Sequence, residues 1–590
     1  MADTHTVPRG GQFLVSDIEA GDVFIREDLS EEQRMFGQTA AEFMQKEVLP
    51  VADRLYQHDW ELTRQLMRKA AALDLLRLEI PPEYGGLGLD LISAAYVGEQ
   101  IAVNPSFGGS LGAHTSIGTL PLVYFGTAEQ KARYLARLAS GDLIAAYALT
   151  EPQSGSDALA ARTTATLTAD ARHYVLNGQK MWITNGQFAD LFTVFAKVDG
   201  DKFTGFLVER SMGVVSGRDE IKLGLDGNST TALMLDNVKV PVENVLGTIG
   251  QGHRVAFNVL NVGRVKLGAR NMSAVRTALG HAVNYAIARR QFGRSIAEFG
   301  LIKQKLAGMA VRSFIGDAMS YRALGAVDRA LEAVDRNDGA RILSTIEGFA
   351  VECSINKVWT SEALAWSVDE AVQVFGGNGY SREFPIERMY RDARITRIYE
   401  GTNEINRLLI PARLMKQMPE RLTLDAARAV LDGHPLDDTA RRRDSAGPSP
   451  LVGERDFLAR AKRLVVGLLG HAASAYGGGF REAQEVQACI ADAVIEVLAI
   501  ESGIARAEKI AARGDRRAVL AADIVRVYVS EAADRIAAAA RHVVAALAGQ
   551  NGGDSLAPQV QPLVQYSGVD VIAARRRIAD AVIAKKQAPF

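Results

Sequence analysis

The chain has 590 residues, a formal net charge of −1 and 48% hydrophobic residues, the balance of a globular protein with several domains. Near-neutral charge argues against nucleic acid as a partner. The two cysteines, Cys353 and Cys489, show no CxxC or metal-ligand spacing, which excludes a disulfide framework and predicts no metal centre.

In chain order, the start MADTHTVPRGGQFLV lacks the apolar run of a signal peptide, and no stretch of ~18 uninterrupted apolar residues predicts a membrane span. The expected location is cytoplasmic. Residues 30 to 145 read mostly as helices. Ser30 is an N-cap with Arg34 beyond it, so half a capping box is expected, and Phe36, Ala40, Phe43 and Met44 recur on one helical face. Gly108 and Gly112 lie four apart, on the same side of a helix. They serve either close packing against a neighbouring helix or a groove. From Ala145 to about Val245 the period becomes strand-like, as in HYVLNGQKMWITNG and DLFTVFAKV, with Asn177-Gly178 and Asn185-Gly186 expected as tight turns. Trp182, taken alone, is a barrel-core aromatic. No G-x-G-x-x-G follows a strand, so a Rossmann site is not predicted.

Helical period returns after Pro241 and persists to about residue 425. Within it Arg391, Arg394 and Arg397 recur every three residues, which suits a helix with a basic edge. Gly401 offers a stop and Thr402 a cap for a helix opening on Asn403 and Glu404. Glu400 then falls between two helices. Shielded from water, such a carboxylate is a general base; otherwise it is a surface glutamate in a connection. Leu431 to Leu451 reads as a polar linker. The last 140 or so residues are alanine-rich helix, with 18 Lys/Arg against 15 Asp/Glu over 451–590, too even a balance to argue for a membrane or DNA surface.

Several motifs, in this order, resemble those of the acyl-CoA dehydrogenases, flavoenzymes that desaturate acyl thioesters: YALTEPQSGSDA (147–158), KMWITNG (180–186), RRQFG (289–293), then VFGGNGY, RDAR and YEGTNEINR. The residues through LGAHTSIG and the extra C-terminal segment are similar to the very-long-chain branch. The resemblance implies a mainly α fold with a central β-barrel or sandwich and an added helical domain. The expected division is 1–145 helical, 146–250 β, 251–425 a helical bundle carrying the base, 426–450 a linker and 451–590 the extra helices.

It also implies an activity: FAD-dependent conversion of long-chain acyl-CoA to trans-2-enoyl-CoA, with electrons passed to an electron-transfer flavoprotein. Glu400 is the implied catalytic base, because Gly263 stands where some branches carry theirs. Tyr147, Leu149 and Thr150 are expected to meet the flavin ring and Trp182 and Thr184 to cover its other side. Ser156, Arg264 and Gly401 are expected at the substrate, with Gly108 and Gly112 at the base of its tail groove. His114 is left as a structural or pocket-lining residue. Arg289, Phe292, Gln373, Gly376 and Gly377 are expected to serve the cofactor of a partner subunit in a homodimer, with Thr402 and Glu404 completing the local site. The alternatives are an acyl-CoA oxidase, or a family-fold binding or assembly factor without chemistry. Peripheral membrane contact would centre on Arg441-Arg442-Arg443, whose other reading is a solvated charge cluster.

Overall fold

A complete capping box opens the helix Glu31–Phe43. Ser30 accepts from the Gln33 N–H at 3.1 Å, and the Gln33 side chain accepts from the Ser30 N–H at 3.0 Å. The half box expected from Arg34 is corrected, because Gln33 holds the third helical position and can reach back. The computed structural model describes residues 8–335, 338–436, 449–551 and 556–590. They form two units: residues 29–273 with 331–347, and residues 1–28 with 274–330 and 348–590.

In the first unit, Ala40, Phe43 and Met44 are buried as their spacing predicts, with Phe36 half-buried against the same core. The sheet is mixed and eight-stranded: β1 (Ala145–Ala148), β2 (Thr164–Leu167), β3 (His173–Thr184), β4 (Leu191–Val198), β5 (Lys202–Glu209), β6 (Val215–Asp219), β7 (Thr230–Pro241) and β8 (Val245–Leu246). Its strand path is β6-β7-β3-β2-β4-β5-β8, and β1 runs parallel to β4 with Ala145 opposite Leu191. Phe195, on β4, stacks on Phe203 and meets Tyr147 edge-on, which fills the sheet's inner face.

Asn185-Gly186 turns as expected, with Asn185 at φ 63°. Asn177-Gly178 does not turn. It lies inside β3 at a register shift, and a Cβ on Gly178 would come within 2.8 Å of Thr163 Cα. The glycine permits close approach of two backbones, a demand that the dipeptide alone does not reveal.

The second unit is helical. Long helices Gly300–Glu332 and Ala350–Phe375 are joined by Val452–Tyr476, Gln484–Ala512, Ala518–Asn551 and Val571–Lys585. Buried charges bind the extra C-terminal helices to the rest of the unit. Glu501 accepts from Arg322 at 2.6 Å and from Lys462 at 2.5 Å, and the fully buried Arg506 reaches Glu27 at 2.7 Å. Each such ion is paired, as low-dielectric burial requires. Residues 8–28 lie as a strap along this unit: Lys462 donates to the Ser16 carbonyl and Lys509 to Asp28. The segment expected as a linker starts inside a helix, Leu424–Leu431, capped by Thr423, and residues 437–448, including Arg441-Arg442-Arg443, lie outside the described residues.

The strap carries a pH-dependent contact. Glu352 accepts the Gly11 N–H at 2.7 Å, and burial pushes its carboxyl pKa up to about 7. An unfolded glutamate ionises near ~4.3. The folded chain therefore holds this proton more tightly, and the associated stability is full below that value and is lost as pH rises toward 7. Glu352→Gln should match the wild type in unfolding free energy near pH 4.5 and exceed it at pH 8, by roughly 3 kcal/mol at most, read from melting curves at the two pH values. Equal melting curves at both pH values would reject this.

Candidate active site

Glu400 sits on a bend whose geometry the sequence partly predicts. The helix Pro385–Ala393 gives way to a 3-10 turn, Arg394–Arg397, which explains a three-residue recurrence better than an α-helix does. Glu400 and Gly401 then both adopt left-handed backbone, at φ 58° and 79°. Thr402 caps the helix Asn403–Gln417 by accepting the Ile405 N–H at 3.3 Å. Two consecutive left-handed residues reverse the chain, and the glutamate occupies the one that is not glycine.

The bend is held from beneath by residues the sequence reading passed over. Lys357, fully buried on the helix Ala350–Phe375, donates to the Gly401 carbonyl at 2.8 Å and to Asn403 Oδ1 at 2.6 Å. Asn406 donates to the carbonyls of Gly401 (2.8 Å) and Thr402 (3.0 Å). Asn403 also donates to Glu362, which takes a two-pronged grip from Arg407. These contacts consume the carbonyls around the bend, and the Oε2 of Glu400 is buried. Lysine at 357 carries a signal in hindsight: Cys353, Thr360 and Ser361, at helical spacing around it, are all buried.

The other residues of this unit lie on exposed edges. Phe292 and Gly293, at φ 53° and 80°, form the tip of a small hairpin pairing Arg290-Gln291 with Arg294-Ser295, and the Phe292 ring is 92% exposed. Arg289, just before it, is also exposed. Gln373, Gly376 and Gly377 lie exposed at the end of Ala350–Phe375. Gly376 adopts φ 60°, ψ −137°, a conformation essentially reserved for glycine, and the space above both glycines is open. Glu404 stands exposed at its helix start, where its own backbone N–H and Thr402 lower its pKa.

In the first unit the two β motifs meet. The Met181 N–H donates to the Thr150 carbonyl at 2.8 Å, so Leu149 and Thr150 lie beside Trp182. A register shift between Lys180 and Ile183 puts Trp182 at φ 60° with its indole 53% exposed, so it is not a core aromatic. Tyr147 is buried, donating to the Ala256 carbonyl, and Thr184 is half-buried in β3. Beneath this surface lies an ion pair between Lys180 and Glu151, 2.7 Å apart and both buried. Lys180 also donates to the Leu149 carbonyl, and Glu151 accepts from Thr163 and the Arg162 N–H. Burial pushes against ionisation of Glu151, but the Lys180 ammonium and these donors hold its carboxyl below the usual range. Strand parity marks Lys180 as inward, in step with Tyr174 and Leu176.

Arg264 is buried and donates to Asn261 at 2.9 Å, whereas Ser156 is exposed on a loop. His114 is a satisfied core histidine. It bonds the Leu138 carbonyl through Nε2 and accepts the Ala145 N–H at Nδ1, and burial pushes its pKa down to about 4. Gly108 and Gly112 both meet neighbours: a Cβ on Gly108 would lie 3.1 Å from the Ile101 carbonyl oxygen, and one on Gly112 would overlap the Arg270 guanidinium.

Residues 30–142, 146–238 and 250–415 match the N-terminal, middle and C-terminal domain models of acyl-CoA dehydrogenase, and residues 460–561 match a further acyl-CoA dehydrogenase C-terminal domain model. A probable acyl-CoA dehydrogenase of Bacillus subtilis is 42% identical, covering 98% of each chain. The human mitochondrial very long-chain specific acyl-CoA dehydrogenase is 41% identical over 59% of this chain and 52% of its own. A crystal structure of an acyl-CoA dehydrogenase complexed with FAD, from Bacillus anthracis, superposes with a TM-score of 0.94 at 39% identity, covering 99% of this chain and all of that one. With the motifs in order and the fold matched from end to end, the chain belongs to the acyl-CoA dehydrogenase family.

Proposed function

We propose that this protein is an FAD-dependent acyl-CoA dehydrogenase that converts long-chain acyl-CoA thioesters to trans-2-enoyl-CoA and passes the electrons to an electron-transfer flavoprotein. The observation that carries the reading is Glu400, a carboxylate fixed on a left-handed bend by Lys357 and Asn406, with one oxygen buried. The residues present fit the cofactor. An exposed indole on a strand bulge offers a flat apolar face beside Thr150, and the open backbone at Gly376 and Gly377 admits close approach. Bound FAD supplies the acceptor for the substrate's β-hydrogen and its electron pair.

The chain's own residues do the rest. The Glu400 carboxylate takes the α-carbon proton, and it holds that proton until the product leaves. Thioester α-protons are weakly acidic, so donors at the carbonyl must stabilise the developing negative charge. A backbone N–H near the base suits that role. Tyr147, Leu149, Thr150, Trp182 and Thr184 orient the ring system, and Ser156 and Arg264 orient the CoA portion. Gly401 gives the thioester room beside the base, while Thr402 and Glu404 close the local end of the cofactor site.

Arg289, Phe292, Gln373, Gly376 and Gly377 would serve a partner subunit in a homodimer. The exposure of Phe292 and, at 91%, of Tyr380 supports that assignment. The proposed division is 1–145, 146–250, 251–425, 426–450 and 451–590. No helix among the described residues is long and apolar enough to cross a membrane. A cytoplasmic location, with or without contact to a membrane's inner face, is part of the proposal.

Anaerobic addition of palmitoyl-CoA to the yellow protein should bleach its flavin absorbance within a turnover time. Failure to bleach with any acyl-CoA would leave a binding or assembly factor. Rapid return of the colour on admitting air would identify an oxidase.

A further inference from the structure

The two glycines expected at the base of the tail groove do not face empty space. Gly108 packs on Ile101, and the guanidinium of Arg270 lies over Gly112; a Cβ on Gly98, one helix away, would come 3.0 Å from Arg270 Nε. Arg270 comes from the helix Gly252–Ala288, and Lys266, one turn before it, pairs with Glu79. Both cations border a cavity of about 20 Å³, lined by the apolar Leu78, Val97, Ile101 and Leu111 and by the polar Glu79 and Thr115. The Ser116 hydroxyl also lines it, buried and without a protein partner. A guanidinium set into such a wall needs close backbone, which Gly98 and Gly112 provide, and it presents an end that a hydrocarbon chain cannot enter without stripping it of polar contacts.

We infer that Arg270 is the floor of the acyl-tail groove and the residue that sets the longest chain this protein accepts. The inference rests on the acyl-CoA reading above. A methyl terminus arriving at Gly112 meets the guanidinium, and each further methylene must displace it from its seat between two glycines. Lys266 and its Glu79 partner line the same end and keep the floor polar when Arg270 shifts.

The test uses the FAD-loaded protein with Arg270→Met and Arg270→Gln. Specificity constants are measured across saturated acyl-CoAs from octanoyl to tetracosanoyl, together with binding of non-reactive thioether analogues followed in the flavin spectrum. The expected result is an optimum moved to longer chains in both variants. The ratio of docosanoyl-CoA to dodecanoyl-CoA in kcat/KM should rise about 10-fold or more, with the gain in KM and in analogue binding. Profiles that superimpose on an active wild type would overturn the role of Arg270 and leave the enzymatic reading standing. A wild type inactive on every acyl-CoA would overturn both. Loss of flavin and of cooperative melting in both variants would make Arg270 an ion that holds the fold, which also overturns the inference.

Discussion

Glu400→Gln should give a protein that keeps its yellow colour and its affinity for acyl-CoA but loses reduction of the flavin by substrate, by about 10³-fold or more. Glutamine preserves the volume of the side chain and keeps one acceptor oxygen; it exchanges the other for an NH2 donor and removes the charge and the capacity to take a proton. General-base catalysis is worth about 10²–10⁴-fold, and no second carboxylate is assigned to the reacting carbon, since position 263 is glycine. The backbone should survive the change. The Gly401 and Thr402 carbonyls are bonded by Lys357 and Asn406, and the substitution removes neither bond. Stopped-flow absorbance under nitrogen is the measurement, and near-wild-type reduction in this variant would place the base elsewhere.

The second large effect is on stability. Lys180→Met should destabilise the β-containing unit by about 3–5 kcal/mol and release the cofactor, because it strands Glu151 as a buried, uncompensated charge. An exposed pair shows the contrast: Lys46 and Glu42, also within 3 Å, are more than half exposed, and breaking them should cost no more than about 0.5 kcal/mol. Pairing Lys180→Met with Glu151→Leu should recover much of the loss, since a packed apolar pair can replace a buried ionic one. Cofactor retention would still fall, because Lys180 also fastens the Leu149 carbonyl next to Trp182. Denaturant melts with flavin fluorescence separate these outcomes. A single variant as stable as wild type would mean that the pair is not buried in solution.

Periodicity made the outline legible. The apolar face of Glu31–Phe43, the change to strands near Ala145 and the return to helix after Pro241 all follow from local pattern, and the structure has them. The Thr402 cap was equally local. The parts that were hidden depend on residues far apart in sequence. Lys180 and Lys357 are lysines, which spacing rules treat as solvated, yet each is buried because a carboxylate or a set of carbonyls arrives from elsewhere in the chain. Asn177-Gly178 has the composition of a turn, and only the nearness of Thr163 shows why a glycine was needed inside a strand. Gly112 offered space by its own chemistry, but the occupant of that space, Arg270, comes from a helix well over a hundred residues later. The strap over residues 8–28 had no periodicity to read. Its anchors, Lys462, Arg506 and Lys509, are found only once the C-terminal helices are folded.

The left-handed torsion at position 400 has an evolutionary corollary. A side chain with a Cβ meets a steric cost of about 1–2 kcal/mol there, which glycine avoids in exchange for a smaller entropic one. Natural selection for thermal robustness alone would therefore erode the acidic residue, and a lineage released from the need to desaturate its substrate should drift toward two adjacent glycines at this corner.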